Sequence, residues 1–111
     1  MSINEISIIV PVFNASFSLP KCIQSIKDQT FLEPFETIFV DDCSSDNSLE
    51  IIKEEKLKNS SLFQLKKNFG PAYARNYALS KANGKYVFFL DADDELEPDT
   101  LSSLYKKAKE K

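Results

Sequence analysis

ISIIVPV, residues 6–12, carries no charge and does not alternate apolar with polar positions. Seven residues are too few for a helix, and this β-branched run has both faces apolar, as expected of a strand covered on both sides in a parallel sheet. The segments that follow repeat this theme. Ser18 to Gln29 places Leu19, Cys22, Ile23 and Ile26 at helical spacing, with Pro20 in the first turn. Phe35 to Val40 is a second strand. The capping-rich stretch DDCSSDNS leads to a second helix that begins at Leu49, Ile51 and Ile52. Leu62 to Leu65 is a short third strand. Gly70 and Pro71 precede a helix from Tyr73 to Ala82, with Ala74, Tyr77, Ala78 and Ala82 on one stripe. Asn83-Gly84 turns into a fourth strand, Lys85 to Leu90, and a last helix from Pro98 carries Leu101, Leu104, Tyr105 and Ala108 on one side. Four strand–helix units predict an α/β fold: a Rossmann-like open parallel sheet of about four strands with helices on both faces, linked by right-handed crossovers.

Composition fits one such unit. The chain has 111 residues and 42% hydrophobic content, enough for one core and one domain, residues 1–111. Fourteen Lys and Arg against seventeen Asp and Glu give a net charge of −3, which offers no basic excess for nucleic acid. Cys22 and Cys43 lack metal or redox spacing, and the N-terminus lacks a secretory pattern. A cytoplasmic chain with two reduced thiols is expected. No apolar run reaches the length of a membrane span. Histidine is absent, so a His general base and a His-ligated metal are excluded within this chain.

In open parallel sheets ligands bind beyond the carboxyl ends of the strands. Three polar clusters stand there: Phe13-Asn14, Asp41-Asp42, and Asp91 to Asp94 (DADD). The only glycines, Gly70 and Gly84, form neither a dinucleotide fingerprint nor a phosphate-binding loop. Diphosphate charge would have to be offset otherwise. Two carboxylates ~5 Å apart repel by about 3 kcal/mol at an effective dielectric of about 20, and a hard divalent ion, Mn²⁺ or Mg²⁺, offsets that repulsion while bridging to phosphate oxygens. The alternative for DADD is a solvated turn before the last helix, and for Asp41-Asp42 a turn before the second. Phe13 reads as loop packing or as a ring for a base. Arg75 reads as a surface residue or a ligand contact. Cys22 reads as core, and the lysines of KEEKLK and KKAKEK as solvated helix faces.

SIIVPVFN, FVDDCSSDNS, NFGPAYARNYAL and NGKYVFFLDADDEL, in that order and spacing, resemble the amino-terminal half of the family 2 glycosyltransferases, which have the GT-A fold. The resemblance covers roughly residues 5 to 105. It implies that Pro11, Phe13 and Asn14 line a nucleotide pocket with the aromatic ring against the base. It implies that Asp42 accepts a hydrogen bond from a uracil ring while Asp41 supports the loop, and that Arg75 reaches toward the nucleotide. Asp91 and Asp93 match the family's DXD, with Asp93 near ribose and metal and Asp94 placed to coordinate the ion. The family transfers a sugar, with inversion, from a nucleotide diphosphate donor to an acceptor hydroxyl, here expected to be that of a glycan or lipid-linked acceptor in cell-wall or polysaccharide biosynthesis. The resemblance further implies that the general base and the acceptor site lie beyond residue 111. A donor-binding fragment without independent transferase activity is therefore expected, from a protein that works in the cytoplasm or at the inner face of the membrane.

Two other classes compete on the residues alone. One is a receiver-like module that binds Mg²⁺ beside a phosphorylatable aspartate, although such modules place their acidic pair after the first strand. The other is a non-catalytic interaction scaffold whose carboxylates are surface.

Overall fold

The computed structural model describes residues 3–110. Strands β1 (Ile6–Val12), β2 (Phe35–Asp41), β3 (Ser60–Gln64) and β4 (Tyr86–Phe89) alternate with helices α1 (Leu19–Lys27), α2 (Ser48–Glu55), α3 (Pro71–Lys81) and α4 (Thr100–Lys109). All strand pairs are parallel, in the order β3-β2-β1-β4. This is the expected α/β sheet with helices on both faces.

The two faces are unequally covered. Ile6, Ile8, Val10, Val12 and Phe39 pack against Leu19, Cys22, Ile23 and Ile26 of α1, Ile52 of α2 and Leu101 of α4. On the other side Ile9, Ile38 and Val40 pack with Leu65 and with α3, through Ala74 and Ala78, whose small side chains let the helix lie close to the sheet. Each fully buried aliphatic side chain contributes about 1.5–3 kcal/mol, so the central strands anchor both layers.

At the amino ends of the strands a polar network takes over. Ser7 Oγ donates to Glu36 Oε2 at 2.6 Å, Asn83 N donates to the same oxygen at 2.8 Å, and Gly84 N donates to Ser7 Oγ at 2.8 Å. Asn4 links Asn83 and Asn59 across the same end. A Cβ on Gly84 would lie 2.5 Å from both Ser7 N and Ser7 Oγ, so glycine there is a matter of space.

Some boundaries differ from the sequence expectation. β3 starts at Ser60, two residues before Leu62, because an edge strand satisfies its ladder (Thr37↔Ser60) with exposed polar residues. Leu65 falls just outside the strand, its N–H donating to Asp41 O at 2.9 Å. α4 starts at Thr100 rather than Pro98, since the Pro98 carbonyl accepts from Thr30 N instead of opening the helix. No described helix is long and apolar enough to cross a membrane.

Candidate functional site

The chain runs β1, β2, β3 toward one edge and then crosses back to place β4 on the far side of β1. Where such a sheet reverses direction, the loops after neighbouring strands diverge and leave a crevice. A cleft of about 520 Å³ lies there, lined by Pro11, Phe13, Asn14, Asp42, Asn68, Asp91 and Asp93, with Pro71 and Ala74 of α3. Three clusters distant in sequence thus share one cavity.

The loop after β1 is clasped to the loop after β2. Asn14 takes a left-handed conformation (φ 49), which asparagine tolerates better than most residues. Its N–H donates to Ser44 Oγ at 2.9 Å, and its side-chain oxygen accepts from Ser45 N at 2.8 Å. Ala15 N donates to Ser48 Oγ and Ser16 N to Asp46 Oδ2. Partial burial pushes the Asp46 carboxyl upward, but donors from Ser48 and Ser16 outweigh it and hold the group down at about 2. The clasp leaves the Phe13 ring 51% exposed at the cleft wall. Asn14 thereby uses its carbonyl oxygen to build that wall.

Asp41 and Asp42 are both buried, yet each is satisfied by the chain itself. Asp41 accepts from Ser44 Oγ at 2.6 Å and Ser44 N at 3.2 Å, supporting the loop as expected. Asp42, 2% exposed, accepts from Phe69 N at 2.8 Å and Gly70 N at 2.9 Å, one to each oxygen. Gly70 sits at φ 97, where a side chain is strained, and Pro71 opens α3 directly after it. One carboxylate therefore fixes the entry of α3 beside the cleft.

The acid loop after β4 is pinned to α1. Ser18 Oγ donates to Ala92 O at 2.9 Å, Leu96 N donates to Ser25 Oγ at 3.0 Å, Gln29 Nε2 donates to Glu97 O at 2.7 Å, and Leu101 N donates to Gln29 Oε1 at 3.0 Å. The backbone is held down while the Asp91, Asp93 and Asp94 carboxylates stay exposed, with one oxygen from each within 4.8 Å of the others. Among the described residues no donor reaches these oxygens. Hard, exposed oxygen donors so grouped fit a divalent ion that keeps part of its water shell. Nearby, Cys22 is raised to about 12 by burial and then by the Asp94, Asp93 and Glu95 charges, so it stays a thiol within the core.

Of the sequence candidates, Pro11, Phe13, Asn14, Asp42, Asp91 and Asp93 line the cleft. Asp94 stands with the acid group just outside that lining. Arg75 does not line it: the residue is half-buried on α3. The sequence reading missed Ser18, Ser25, Gln29, Ser44 and Asp46, which hold the loops. The stretch DDCSSDNS signalled capping, but its partner thirty residues upstream carries no local signal.

Residues 7–111 match the sequence model of Glycosyl transferase family 2. The chain belongs to that family. It is 41% identical over 105 residues to Glycosyltransferase GlyA of Streptococcus pneumoniae, covering 94% of this chain and 15% of the relative. It is 36% identical over 110 residues to a poly(ribitol-phosphate) beta-glucosyltransferase of Bacillus spizizenii, covering 96% of this chain and 17% of the relative. Among solved structures, Staphylococcus aureus TarS 1-349 in complex with UDP-GlcNAc superposes with a TM-score of 0.88 at 35% identity, covering 96% of this chain and 31% of that one. A Pyrobaculum calidifontis mannosyltransferase in complex with GDP-Man and Mn²⁺ gives 0.81 at 26% identity, covering 92% and 31%. The chain spans less than a third of each of these proteins, and its four-stranded α/β unit matches part of the GT-A fold of TarS.

Proposed function

We propose that this chain is the donor-binding part of an inverting glycosyltransferase that takes a sugar from a UDP-sugar, with Mn²⁺ or Mg²⁺, and delivers it to an acceptor hydroxyl. The observation that carries the reading is the convergence of Phe13, Asp42, Asp91 and Asp93 on one cleft at the reversal point of the sheet, in a chain of this family. Solved relatives bound to UDP-GlcNAc and to GDP-Man with Mn²⁺ support it.

In this reading the half-exposed Phe13 ring stacks on the base, and Pro11 and Asn14 shape the wall beside it. Asp42 keeps both oxygens on the Phe69 and Gly70 amides and offers a remaining lone pair to a ring N–H of the base. Arg75, outside the cleft lining, is assigned a contact with the nucleotide from α3. Asp93 and Asp94 hold the metal, with Asp91 at the nucleotide or the loop. When bound, a divalent ion supplies positive charge to the diphosphate leaving group as its negative charge grows. The general base that accepts the acceptor's proton is assigned to the longer enzyme, so this chain binds donor without transferring the sugar. The poly(ribitol-phosphate) transferases among its relatives support a cell-envelope glycan or polyol phosphate as acceptor.

Isothermal titration of UDP in the presence of Mn²⁺ tests the reading. Saturable 1:1 binding is expected for the wild-type chain, lost on chelation and weakened at least about ten-fold by Asp93→Ala, since even the outer-shell partners of a metal site are worth that much. Equal binding by both chains, or none by the wild type, overturns it. Rapid transfer to an acceptor by the purified chain would overturn the inactivity of the fragment.

A further inference from the structure

The acids of this chain are excluded from one long segment. Between Lys56 and Leu90 the sequence has seven Lys and Arg residues and no Asp or Glu, although the chain as a whole is acidic. The fold places residues 60–81 of this segment on the β3 edge and on α3, the helix of its face, whereas Lys85 and β4 lie at the opposite edge of the sheet. Phe69 and Tyr73 stack there at 4.4 Å with 19° between ring planes, yet remain 42% and 46% exposed. Lys67 Nζ lies 5.2 Å over the Phe69 ring, and Lys81 Nζ lies 5.5 Å from both the Tyr77 and Phe63 rings. Tyr73, Tyr77 and Lys81 are four residues apart on α3, so they form one ridge, which Phe69 extends past the amino end of the helix. Among the described residues no carboxylate pairs with Lys67 or Lys81, and the one ion pair, Lys27 with Glu55, is on other helices.

We infer that this ridge docks on an anionic lipid surface. Aromatic side chains with a wet and an apolar end settle at the headgroup level, and neighbouring lysines add attraction to acidic lipids. A sugar-stacking platform needs an open ring face. Phe69 has Tyr73 against one face and Lys67 over it, while the Tyr77 and Phe63 rings face Lys81. A soluble polyanion would use the charges but leave the exposed ring edges without a role. The same helix contributes Pro71 and Ala74 to the cleft, so docking by this flank sets the cleft beside the lipid headgroups.

Vesicle flotation tests the inference without reference to donor binding. The chain is expected to float with phosphatidylcholine vesicles containing a quarter phosphatidylglycerol, not with pure phosphatidylcholine, and to release in high salt. The double reversal Lys67→Glu with Lys81→Glu should lower the bound fraction roughly ten-fold or more. Lys53→Glu with Lys106→Glu, on α2 and α4, carries the same net charge and should bind as wild type. The tryptophan emission of the Phe69→Trp variant should shift to the blue on acidic vesicles, whereas that of Phe17→Trp, in the loop after β1, should not. Circular dichroism checks that each variant is folded. Absence of flotation on acidic vesicles overturns the inference, as does equal loss in both double variants. Soluble polyphosphate that binds the chain as well as the vesicles do, with no emission shift in the Phe69→Trp variant, would replace the lipid surface by an anionic polymer.

Discussion

Two groups of acids stand at the carboxyl ends of the strands and behave oppositely. Asp41 and Asp42 are buried, and their oxygens accept from the chain's own amides and hydroxyl. Asp91, Asp93 and Asp94 are exposed, their backbone is tied to α1, and among the described residues no donor reaches their carboxylates. The first group is needed to form the cleft, while the second is left available to whatever enters it. Identical side chains thus separate, according to where the backbone amides point, into a set satisfied by the chain itself and a set left exposed.

The contrast breaks most visibly at Asp42. Asp42→Ala removes the buried carboxylate that the Phe69 and Gly70 amides donate to and is expected to lower stability by about 1–3 kcal/mol in urea unfolding, whereas Asp93→Ala should stay within about 0.5 kcal/mol of wild type. Loss of stability from Asp93→Ala comparable to that from Asp42→Ala would erase the distinction. The reverse ranking is expected for ligand. Asp93→Ala with Asp94→Ala should weaken Mn²⁺-dependent UDP binding by about a hundred-fold with an unchanged unfolding midpoint, read by titration and urea together.

Asp46 sharpens the picture from a third position, since its carboxylate clasps two loops yet remains partly exposed. Its value falls from 3.8 unfolded to about 2 folded, so the unfolded chain binds more protons across that interval. Its contribution is therefore complete above about pH 4 and fades as the pH drops toward 2. Asp46→Asn should remove that part of the acid dependence in a series of unfolding curves and, with solvent screening the exposed side of the group, cost about 1 kcal/mol or less at neutral pH. The smallest effect concerns thiols. Cys22, buried and held at about 12, should resist a thiol reagent at pH 8 in the native chain, while half-exposed Cys43 reacts, giving one modified residue by mass spectrometry.

Apolar runs made the strands legible, because burial on both faces of β1 and β2 leaves no polar alternation to confuse the reading. The edge strand was harder: Ser60 and Ser61 pair in the ladder without a hydrophobic signal. The site's acids and Phe13 stood out as polar or aromatic residues at strand ends. What pairs with them did not, since Asp42 reaching Phe69 and Gln29 reaching Leu101 are contacts across 27 and 72 positions. Arg75 shows the same limit from the other side: its place in the motif was plain, but its direction on α3 depends on how Ala74 and Ala78 seat the helix. Net charge also concealed information, because an overall −3 averages an acid-free segment of 35 residues with a strongly acidic remainder.

The row of hydrogen bonds between α1 and the acid loop also limits mechanical freedom. Ser18, Ser25 and Gln29, on α1 and its flanks, hold the loop at Ala92, Leu96 and Glu97, which restrains its backbone on both sides of Asp93 and Asp94. The Asp91, Asp93 and Asp94 side chains, which no donor reaches among the described residues, are left as the adjustable part of the loop.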